Sequence, residues 1–218
     1  MSNPVNIDFV SDIACPWCAI GLGALEQALA RLGDDVEVDI HFQPFELNPQ
    51  MPVGGQEVIE HLTQKYGMPE EQIRANQKNI RERAAAVGFP FHPDGRKHVY
   101  NTFNAHRLLH WVSVEHDAAA QHRLKRELLG TYFTLAVNLD DQENLIDAVR
   151  RAGLEPGRAR QILSTNEYEQ AVRERQRHYT DMGITSVPSI ILNGKYLLQG
   201  AQPAEQFERA IRQVAAEA

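Results

Sequence analysis

Apolar and polar positions alternate with a period of two in two segments near the start of the chain. Residues 5–10 read Val-Asn-Ile-Asp-Phe-Val, and residues 36–42 read Val-Glu-Val-Asp-Ile-His-Phe. This repeat is typical of strands with one buried face. Between the two segments, residues 20–32 repeat their apolar positions with the period of a helix. Residues 5–43 therefore predict a strand, a helix and a second strand.

The other end of the chain predicts a hairpin followed by a helix. Residues 188–192 and 195–198 are two apolar runs, and Asn193-Gly194 between them favours a two-residue hairpin turn. A last helix is predicted over residues 203–216, which open with a proline and repeat their apolar positions with helical spacing. This end therefore adds two strands and a helix.

The middle of the chain shows little strand pattern and several helical patterns, separated by prolines and glycines. Helices are predicted over residues 56–66, 70–87, 97–115, 119–137, 142–152, 157–164 and 167–182. The two ends together make a four-stranded mixed sheet with helices on both faces, which places the chain in the α/β class. An all-helical insertion interrupts this sheet domain. We expect residues 1–50 and 166–218 to be the two parts of the sheet domain, and residues 51–165 to be the insertion domain.

Composition and charge narrow the range of functions. At 218 residues with 43% hydrophobic positions, the chain is long enough to bury a sizeable core. It carries 22 lysines and arginines against 29 aspartates and glutamates, a net charge of −7, and it has no basic run, so binding to nucleic acid is not expected. It has no apolar stretch of membrane-spanning length, and its start predicts a strand rather than a secretion signal. We expect a cytoplasmic protein that does not bind membranes.

The segment Cys15-Pro16-Trp17-Cys18 contains the only two cysteines of the sequence and lies between the first predicted strand and its helix. In a reducing cytoplasm, a lone cysteine pair is more often catalytic, redox-sensing or metal-binding than structural. A cysteine at a helix N-terminus faces unpaired N–H groups and the positive end of the helix dipole, which favour its thiolate. Pro16 suits the first helical turn, and Cys18 lies one turn further on, within reach of a disulfide. We predict that Cys15 attacks and that Cys18 resolves the mixed disulfide.

Two other interpretations of the cysteine pair are open. The thiols pack in the core, or they supply half of a zinc site that His106 and His110 complete from one helix face. The residues after Cys18 continue a helix, whereas a metal-binding turn usually has a glycine or another flexible residue there. No metal is therefore predicted.

Three further side chains each have two alternative roles. Asp12 is expected to be an exposed turn carboxylate rather than a group that acts on the proton of Cys15 or caps the approach to the helix. His106 is expected to be a hydrogen-bonded histidine in a buried helix rather than part of a cleft. Trp17 either shapes the rim of the site or packs on the domain surface.

Three motifs together resemble the DsbA family of thiol-disulfide oxidoreductases, and its FrnE-like branch in particular. They are Cys-Pro-Trp-Cys after the first strand, Gly-Ile-Thr-Ser-Val-Pro-Ser at residues 183–189, and Asn-Thr-Phe-Asn-Ala-His-Arg-Leu at residues 101–108. The resemblance covers essentially the whole chain and implies a thioredoxin-like fold. From base rates alone, the Val187–Pro188 bond would be trans, since only about 5–6% of such bonds are cis. The resemblance implies a cis proline that lies against the cysteine pair.

The resemblance also implies a function and its residues. The protein would be an oxidoreductase or isomerase that exchanges disulfides with protein thiols and disulfides, with Cys15 and Cys18 as its catalytic, redox-active pair. The substrate-binding residues would be Pro16, Trp17, Val187 and Pro188. The free backbone of Val187 would pair with an extended substrate, which gives affinity without requiring a particular substrate sequence. No cofactor is implied besides the redox-active disulfide, with glutathione as a co-substrate or a thioredoxin-type reductant for recycling, and a homodimer is compatible with the sequence.

A second function is suggested by glutathione transferases of the kappa class and by 2-hydroxychromene-2-carboxylate isomerases. They resemble the same fold with the same kind of helical insertion, and they use glutathione on small molecules. In that group a serine replaces the first cysteine and the second cysteine is absent, so the intact pair of this chain favours disulfide exchange. A binding module that holds unfolded chains in a cleft is a third, non-enzymatic interpretation.

Overall fold

The structure is a computed structural model that describes residues 4–217. The strands are Val5–Ser11 (β1), Val38–Pro44 (β2), Gln56–Glu57 (β3), His98–Val99 (β4), Ser189–Leu192 (β5) and Tyr196–Gln199 (β6). The helices are Pro16–Leu32 (α1), Val58–Tyr66 (α2), Glu70–Ala86 (α3), Phe103–Glu115 (α4), Ala118–Phe133 (α5), Gln142–Arg151 (α6), Pro156–Leu163 (α7), Glu169–Asp181 (α8) and Ala204–Ala216 (α9). Within the described range, no helix has the length and apolar character needed to cross a membrane.

The main sheet has the strand order β2-β1-β5-β6. β1 runs parallel to β2 and antiparallel to β5, and β5 forms an antiparallel hairpin with β6. Asn193 and Gly194 both take a positive φ in the hairpin turn, as an Asn-Gly turn requires. In the β1–β5 ladder, Val10 lies opposite Ser189. The predicted four-stranded mixed sheet is confirmed.

Helices cover both faces of this sheet. On one face, Phe9 of β1 belongs to the same apolar cluster as Leu25 of α1 and Phe207 of α9. On the other face, Val10 of β1 belongs to a smaller cluster with Tyr179 of α8. The larger cluster also includes apolar side chains of α4, α5, α6 and α7, so the sheet and the helical segment share one core. The domain boundaries stay a prediction.

The structure differs from the predicted helices over residues 97–115 and 119–137. The start of the first range forms β4, which pairs with β3, and α4 begins only at Phe103. α5 ends at Phe133, and Ala136 has a positive φ of 55°, which does not continue a helix. Strands of two residues are too short to show a period of two, so the apolar pattern did not reveal β3 and β4.

Gly23 allows α1 to lie against the segment that follows α3. A Cβ atom at this position would lie 2.8 Å from the carbonyl oxygen of Val87 and 2.9 Å from its Cγ2. We expect Gly23→Ala to destabilise the protein by roughly 1–3 kcal/mol, because the backbone must move to make room. Gly130 in α5 is a matched control, since a Cβ there would meet no atom within 4 Å. Gly130→Ala should raise the free energy of unfolding by up to about 1 kcal/mol. Urea unfolding measures both changes, and equal stabilities of the two variants would contradict the close approach at Gly23.

Candidate functional site at the N-terminus of the first helix

The two cysteines lie at the N-terminus of α1. Cys15 is the N-cap residue with an extended backbone, and Pro16 lies in the first turn of the helix. An N–H at Pro16 would have no helical acceptor, so proline costs the helix no hydrogen bond there. Both thiols are free, and the side chains of Cys15 and Cys18 are hydrogen-bonded to each other. The structure therefore places the two sulfurs side by side.

The surroundings of the two thiols shift their pKa values in opposite directions. The hydrogen bond from Cys18 lowers the pKa of the Cys15 thiol, and this effect outweighs burial, which raises it. Burial raises the pKa of Cys18 well above its usual range, and the hydrogen bond to Cys15 and the charge of Cys15 raise it further. Cys15 therefore ionises first and is the stronger nucleophile near neutral pH.

The loop before β5 lies against the start of α1. The Val187–Pro188 peptide bond is cis, as the family resemblance implies and contrary to the base rate. Cys15 Sγ donates a hydrogen bond to the carbonyl oxygen of Val187 over 3.7 Å. Gly21 of α1 allows this approach, because a Cβ there would lie 3.2 Å from Cγ of Pro188. The backbone of Val187 is thus directly beside the sulfur of Cys15.

A cleft of about 780 Å³ opens in front of Cys15, and α2 and α3 contribute to its walls. The predicted site residues that line it are Cys15, Pro16, Trp17 and Val187. Cys18 is fully buried and Pro188 is buried against α1, so these two lie behind the cleft surface. The ring of Trp17 lies under the guanidinium of Arg83, whose carbon is 5.6 Å from the ring centroid. This position favours the rim role of Trp17.

Three cationic side chains, Lys65, Arg81 and Arg96, line the same cleft. None of them forms a salt bridge with any carboxylate in the part of the chain that the structure describes. Arg96 lies against two aromatic rings, and its Nε is buried without a hydrogen-bond acceptor among residues 4–217. The acidic side chain of the lining, Glu46, is already paired with Arg173 at 2.6 Å. The cleft is therefore electropositive, although the whole chain has a net charge of −7.

Asp12 is only 1% exposed, so the expectation of an exposed turn carboxylate is wrong. Its Oδ1 accepts hydrogen bonds from Thr102 Oγ1 at 2.7 Å and from His106 Nε2 at 3.4 Å. The N–H of Ala14 donates to the same oxygen over 3.2 Å, and the N–H of Leu47 donates to Oδ2 over 2.7 Å. Burial opposes ionisation, but these bonds and the charge of His106 outweigh it, so the pKa of Asp12 is below its usual range. Asp12 ties together the turn before α1, the loop after β2 and the start of α4.

His106 is buried in α4 and hydrogen-bonded to Asp12, which agrees with the structural role expected of it. It does not line the cleft in front of Cys15. His110, the other histidine of the zinc interpretation, packs its ring edge-on against Tyr168. Across residues 4–217, no group of three or more histidine, cysteine, aspartate or glutamate side chains is arranged to hold a metal ion. The role that the contacts of His106 support is that of a hydrogen-bond partner of Asp12.

Lys125 of α5 is a residue that interpretation of the sequence missed. Its side chain is fully buried, and its Nζ lies 5.8 Å from the centroid of the Phe42 ring without a hydrogen-bond partner among the described residues. Burial lowers the pKa of its ammonium group to about 8, and the charges of Cys18, Asp12 and Cys15 act in the opposite direction. The sequence held one signal for its burial. Lys125 lies three and four residues before Leu128 and Leu129, which places it on the apolar face of the helix.

Comparison with known proteins identifies similar sequences and folds. The family model described as a DSBA-like thioredoxin domain matches residues 6–212. The crystal structure of a probable DsbA oxidoreductase from Streptomyces coelicolor is 34% identical, with a TM-score of 0.89 over 98% of this chain and 91% of that chain. A 2-hydroxychromene-2-carboxylate isomerase is 14% identical, with a TM-score of 0.70 over 97% of each chain. The cytosolic disulfide reductase DsbM from Pseudomonas aeruginosa, also solved with GSH, is 15% identical, with a TM-score of 0.65 over 98% of this chain and 100% of that chain.

Asp12 predicts a specific dependence of stability on pH. Because the pKa of Asp12 is lower in the folded protein than in an unfolded chain, its ionised form stabilises the fold above about pH 4. This contribution is lost as the pH falls through the folded-state value. We expect Asp12→Asn to lower the free energy of unfolding at pH 7 by roughly 2–4 kcal/mol, since it leaves buried donors without a charged acceptor. The difference from the wild type should narrow below about pH 4.

Urea unfolding at a series of pH values measures this difference. The control is Asp34→Asn, which changes an exposed carboxylate after α1 and should have a stability close to that of the wild type at every pH. A deficit of Asp12→Asn that stays constant from pH 7 to pH 3 would contradict the prediction.

Proposed function

Because the chain belongs to the DSBA-like thioredoxin domain family, we propose that it is a thiol-disulfide oxidoreductase that exchanges disulfides with protein substrates through Cys15 and Cys18. One observation carries the proposal. Cys15 has a lowered pKa and lines an open cleft, while Cys18 has a raised pKa and is buried and hydrogen-bonded to it. Disulfide exchange needs this difference, because one sulfur must be accessible to attack the substrate, and the other must attack only after the mixed disulfide has formed.

The reaction follows from the positions of the two sulfurs. The Cys15 thiolate attacks one sulfur of a substrate disulfide, a mixed disulfide forms, and the other substrate sulfur leaves as a thiolate that takes up a proton. Cys18 then loses its proton and attacks Sγ of Cys15. The second substrate sulfur leaves, and the Cys15–Cys18 disulfide remains. The same steps in reverse oxidise a substrate dithiol, so one site serves as reductase, oxidase or isomerase according to its reduction potential.

The backbone of Val187 supports the choice of a protein as substrate. Its carbonyl oxygen accepts the hydrogen bond from Cys15 Sγ, and its N–H has no hydrogen-bond partner within residues 4–217. When Cys15 is a thiolate, both backbone groups are free to pair with an extended segment. Such pairing places the cysteine of the segment at Cys15 whatever its neighbouring side chains are. Pro16 and Trp17 would contact the same segment from the cysteine turn.

The cations of the cleft support glutathione as the small-molecule partner. Glutathione carries two carboxylates beside its thiol, and Lys65, Arg81 and Arg96 are cations without carboxylate partners in the described structure. Charge complementarity of this kind favours an anionic thiol over a neutral one. The existence of a DsbM structure with GSH agrees with a glutathione site in this fold. A thioredoxin-type reductant is the other recycling partner that the chemistry permits.

A glutathione-dependent transferase or isomerase that acts on a small molecule is the alternative function. The fold is shared with a 2-hydroxychromene-2-carboxylate isomerase, and a cleft of about 780 Å³ has room for a small molecule. Such an enzyme needs no second cysteine, whereas Cys18 is here hydrogen-bonded to Cys15. We therefore rank disulfide exchange first. The FrnE-like branch, the cytoplasmic location and a homodimer stay predictions.

We expect Cys15 and Cys18 to gain and lose a disulfide in graded glutathione buffers, with a midpoint between about −270 and −120 mV. Alkylation of free thiols followed by mass spectrometry measures the oxidised fraction at each potential. Cys15→Ser should abolish the reduction of a protein disulfide, because it removes the nucleophile. Cys18→Ser should still attack and should accumulate a mixed disulfide. In the reduced wild type at pH 7, iodoacetamide should modify Cys15 and spare Cys18.

Two results would count against this function. One is a thiol pair that stays unchanged across the whole range of glutathione potentials. The other is a double variant, Cys15→Ser with Cys18→Ser, that conjugates or isomerises small molecules with glutathione as fast as the wild type. The second result would favour the transferase or isomerase.

We also expect the cleft cations to select anionic disulfides. The double variant Lys65→Gln with Arg81→Gln should slow the reaction with glutathione disulfide about twofold to 30-fold, at about 0.2–1 kcal/mol for each of the two charges. The reaction with the uncharged bis(2-hydroxyethyl) disulfide should keep its rate. The control is Arg31→Gln on α1, an exposed arginine that pairs with Glu205. Stopped-flow kinetics measures all three proteins, and equal slowing with both disulfides would exclude charge selection.

A further inference from the structure

The carboxylate of Asp12 lies beside the cysteine turn. The N–H of Cys15 donates to the backbone carbonyl oxygen of Asp12 over 3.3 Å, and the N–H of Ala14 donates to Oδ1 of Asp12 over 3.2 Å. Covalent geometry then limits the distance between Asp12 Oδ1 and Cys15 Sγ to at most about 11 Å. Asp12 is 1% exposed and Cys15 is 3% exposed, so salt and water screen this pair only weakly.

The start of α4 holds this carboxylate in its ionised form. Thr102, the N-cap residue of α4, donates to Asp12 Oδ1 over 2.7 Å, and His106 of the same helix donates to it over 3.4 Å. Both residues belong to the motif at residues 101–108 that resembles the FrnE-like branch. Disulfide exchange by itself gives this motif no role. The contacts show that the motif keeps a negative charge next to the nucleophilic sulfur.

A negative charge at this place disfavours the thiolate of Cys15. Like charges repel, and the repulsion is stronger in a buried site than in water. A unit charge at about 11 Å shifts a pKa by roughly one unit at an effective dielectric constant of about 20. In agreement with this, the charge of Asp12 raises the pKa of Cys15 and opposes the hydrogen bond from Cys18, which lowers it.

Other titratable groups around Asp12 reduce the effect of its charge. They come from α2, α4 and α5, and their positive charges, when they are protonated, interact with Asp12: Lys65, His106 and Lys125. We therefore expect the effect of Asp12 on Cys15 to be smaller than that of an isolated charge, at about half a unit to one unit of pKa.

We propose that the Asp12 carboxylate sets the reduction potential of the cysteine pair, because it restrains the thiolate of Cys15. This inference rests on the proposed function and adds a direction to it. A Cys15 thiolate exists only in the reduced pair, so a charge that disfavours it destabilises the reduced protein and makes the disulfide easier to form. Asp12 thus makes the pair a stronger reductant. It does not line the cleft, so it is a positioning residue that acts through Cys15.

Asp12→Asn tests the inference, because it removes the charge and keeps the size of the side chain. We expect the pKa of Cys15 in the reduced protein to fall by about half a unit to one unit. The ultraviolet absorbance of the thiolate, followed over a series of pH values, measures this pKa. The matched control is Asp34→Asn, which changes an exposed carboxylate after α1 and should leave the pKa of Cys15 as it is in the wild type.

The same variant should change the equilibrium with glutathione. In this equilibrium the reduced pair passes two electrons and two protons to glutathione disulfide, which becomes two molecules of glutathione. Asp12→Asn should shift it toward the reduced pair by up to about tenfold at pH 7, which corresponds to about 30 mV. Asp12→Glu restores a negative charge, so it should return both the pKa of Cys15 and this equilibrium toward their wild-type values.

Thr102→Val separates the effect of the charge from an effect on the fold. It removes one anchor of Asp12 but leaves the carboxylate, whose charge is then shared with one donor fewer. The pKa of Cys15 should therefore rise by about 0.3 units, in the direction opposite to that in Asp12→Asn. A purely structural role of Asp12 predicts the same direction in both variants, because both loosen the turn before α1.

Three outcomes would overturn the inference. They are an Asp12→Asn variant in which the pKa of Cys15 does not fall, an Asp12→Glu variant that behaves like Asp12→Asn, and a Thr102→Val variant in which this pKa falls or stays constant. The third outcome decides the matter even where Asp12→Asn fails to fold. The pKa is read on the reduced protein and needs no disulfide. A wild-type pair that stays unchanged across all glutathione potentials would instead refute the proposed function, so the two failures are distinguishable.

Discussion

The antiparallel pairing of β1 with β5 is the constraint on which the rest of the site depends. In its register Val10 lies opposite Ser189, so the chain leaves β1 at the point where it enters β5. Cys15 follows β1 by four residues and Val187 precedes β5 by two, and this ladder brings them into contact although 172 residues separate them. The β1–β5 ladder, and not the long helical segment between the two strands, sets the distance between Cys15 and Val187. The helical segment can therefore form a wall of the cleft.

Burial disfavours the thiolate of both cysteines, but only at Cys15 is this effect compensated. Cys15 receives a hydrogen bond from Cys18 and stands at a helix N-terminus, so its negative charge is supported despite burial. Cys18 is equally buried and donates that bond, so its own thiolate is disfavoured until Cys15 becomes bonded to a substrate. The order of attack that we propose therefore follows from the reduced pair itself, before any substrate is present.

Most of the fold could be predicted because each long element repeats its apolar positions over several turns or alternations. The failures concern interactions between distant segments. Asp12 looks like a turn carboxylate in its local context, yet it is fixed by Thr102 and Leu47, which are 90 and 35 residues away. The cis bond before Pro188 followed from family resemblance, since the residues alone favour trans. Lys125 was missed because a single lysine on an apolar helix face is usually accommodated at the surface by its long stem.

The helical segment therefore contributes to the surroundings of the cysteine pair and is not only a wall of the cleft. α4 supplies Thr102 at its N-cap and His106 inside it, and both side chains donate hydrogen bonds that hold Asp12 in its ionised form. The apolar cluster that joins this helix to α1 is what keeps water away from that side of the pair. Two of the hydrogen bonds that keep Asp12 ionised, three residues before Cys15, thus come from a helix at least 90 residues further along the chain. The packing of α4 against the start of α1 therefore fixes the charge beside the cysteine turn, which the local sequence around Asp12 does not indicate.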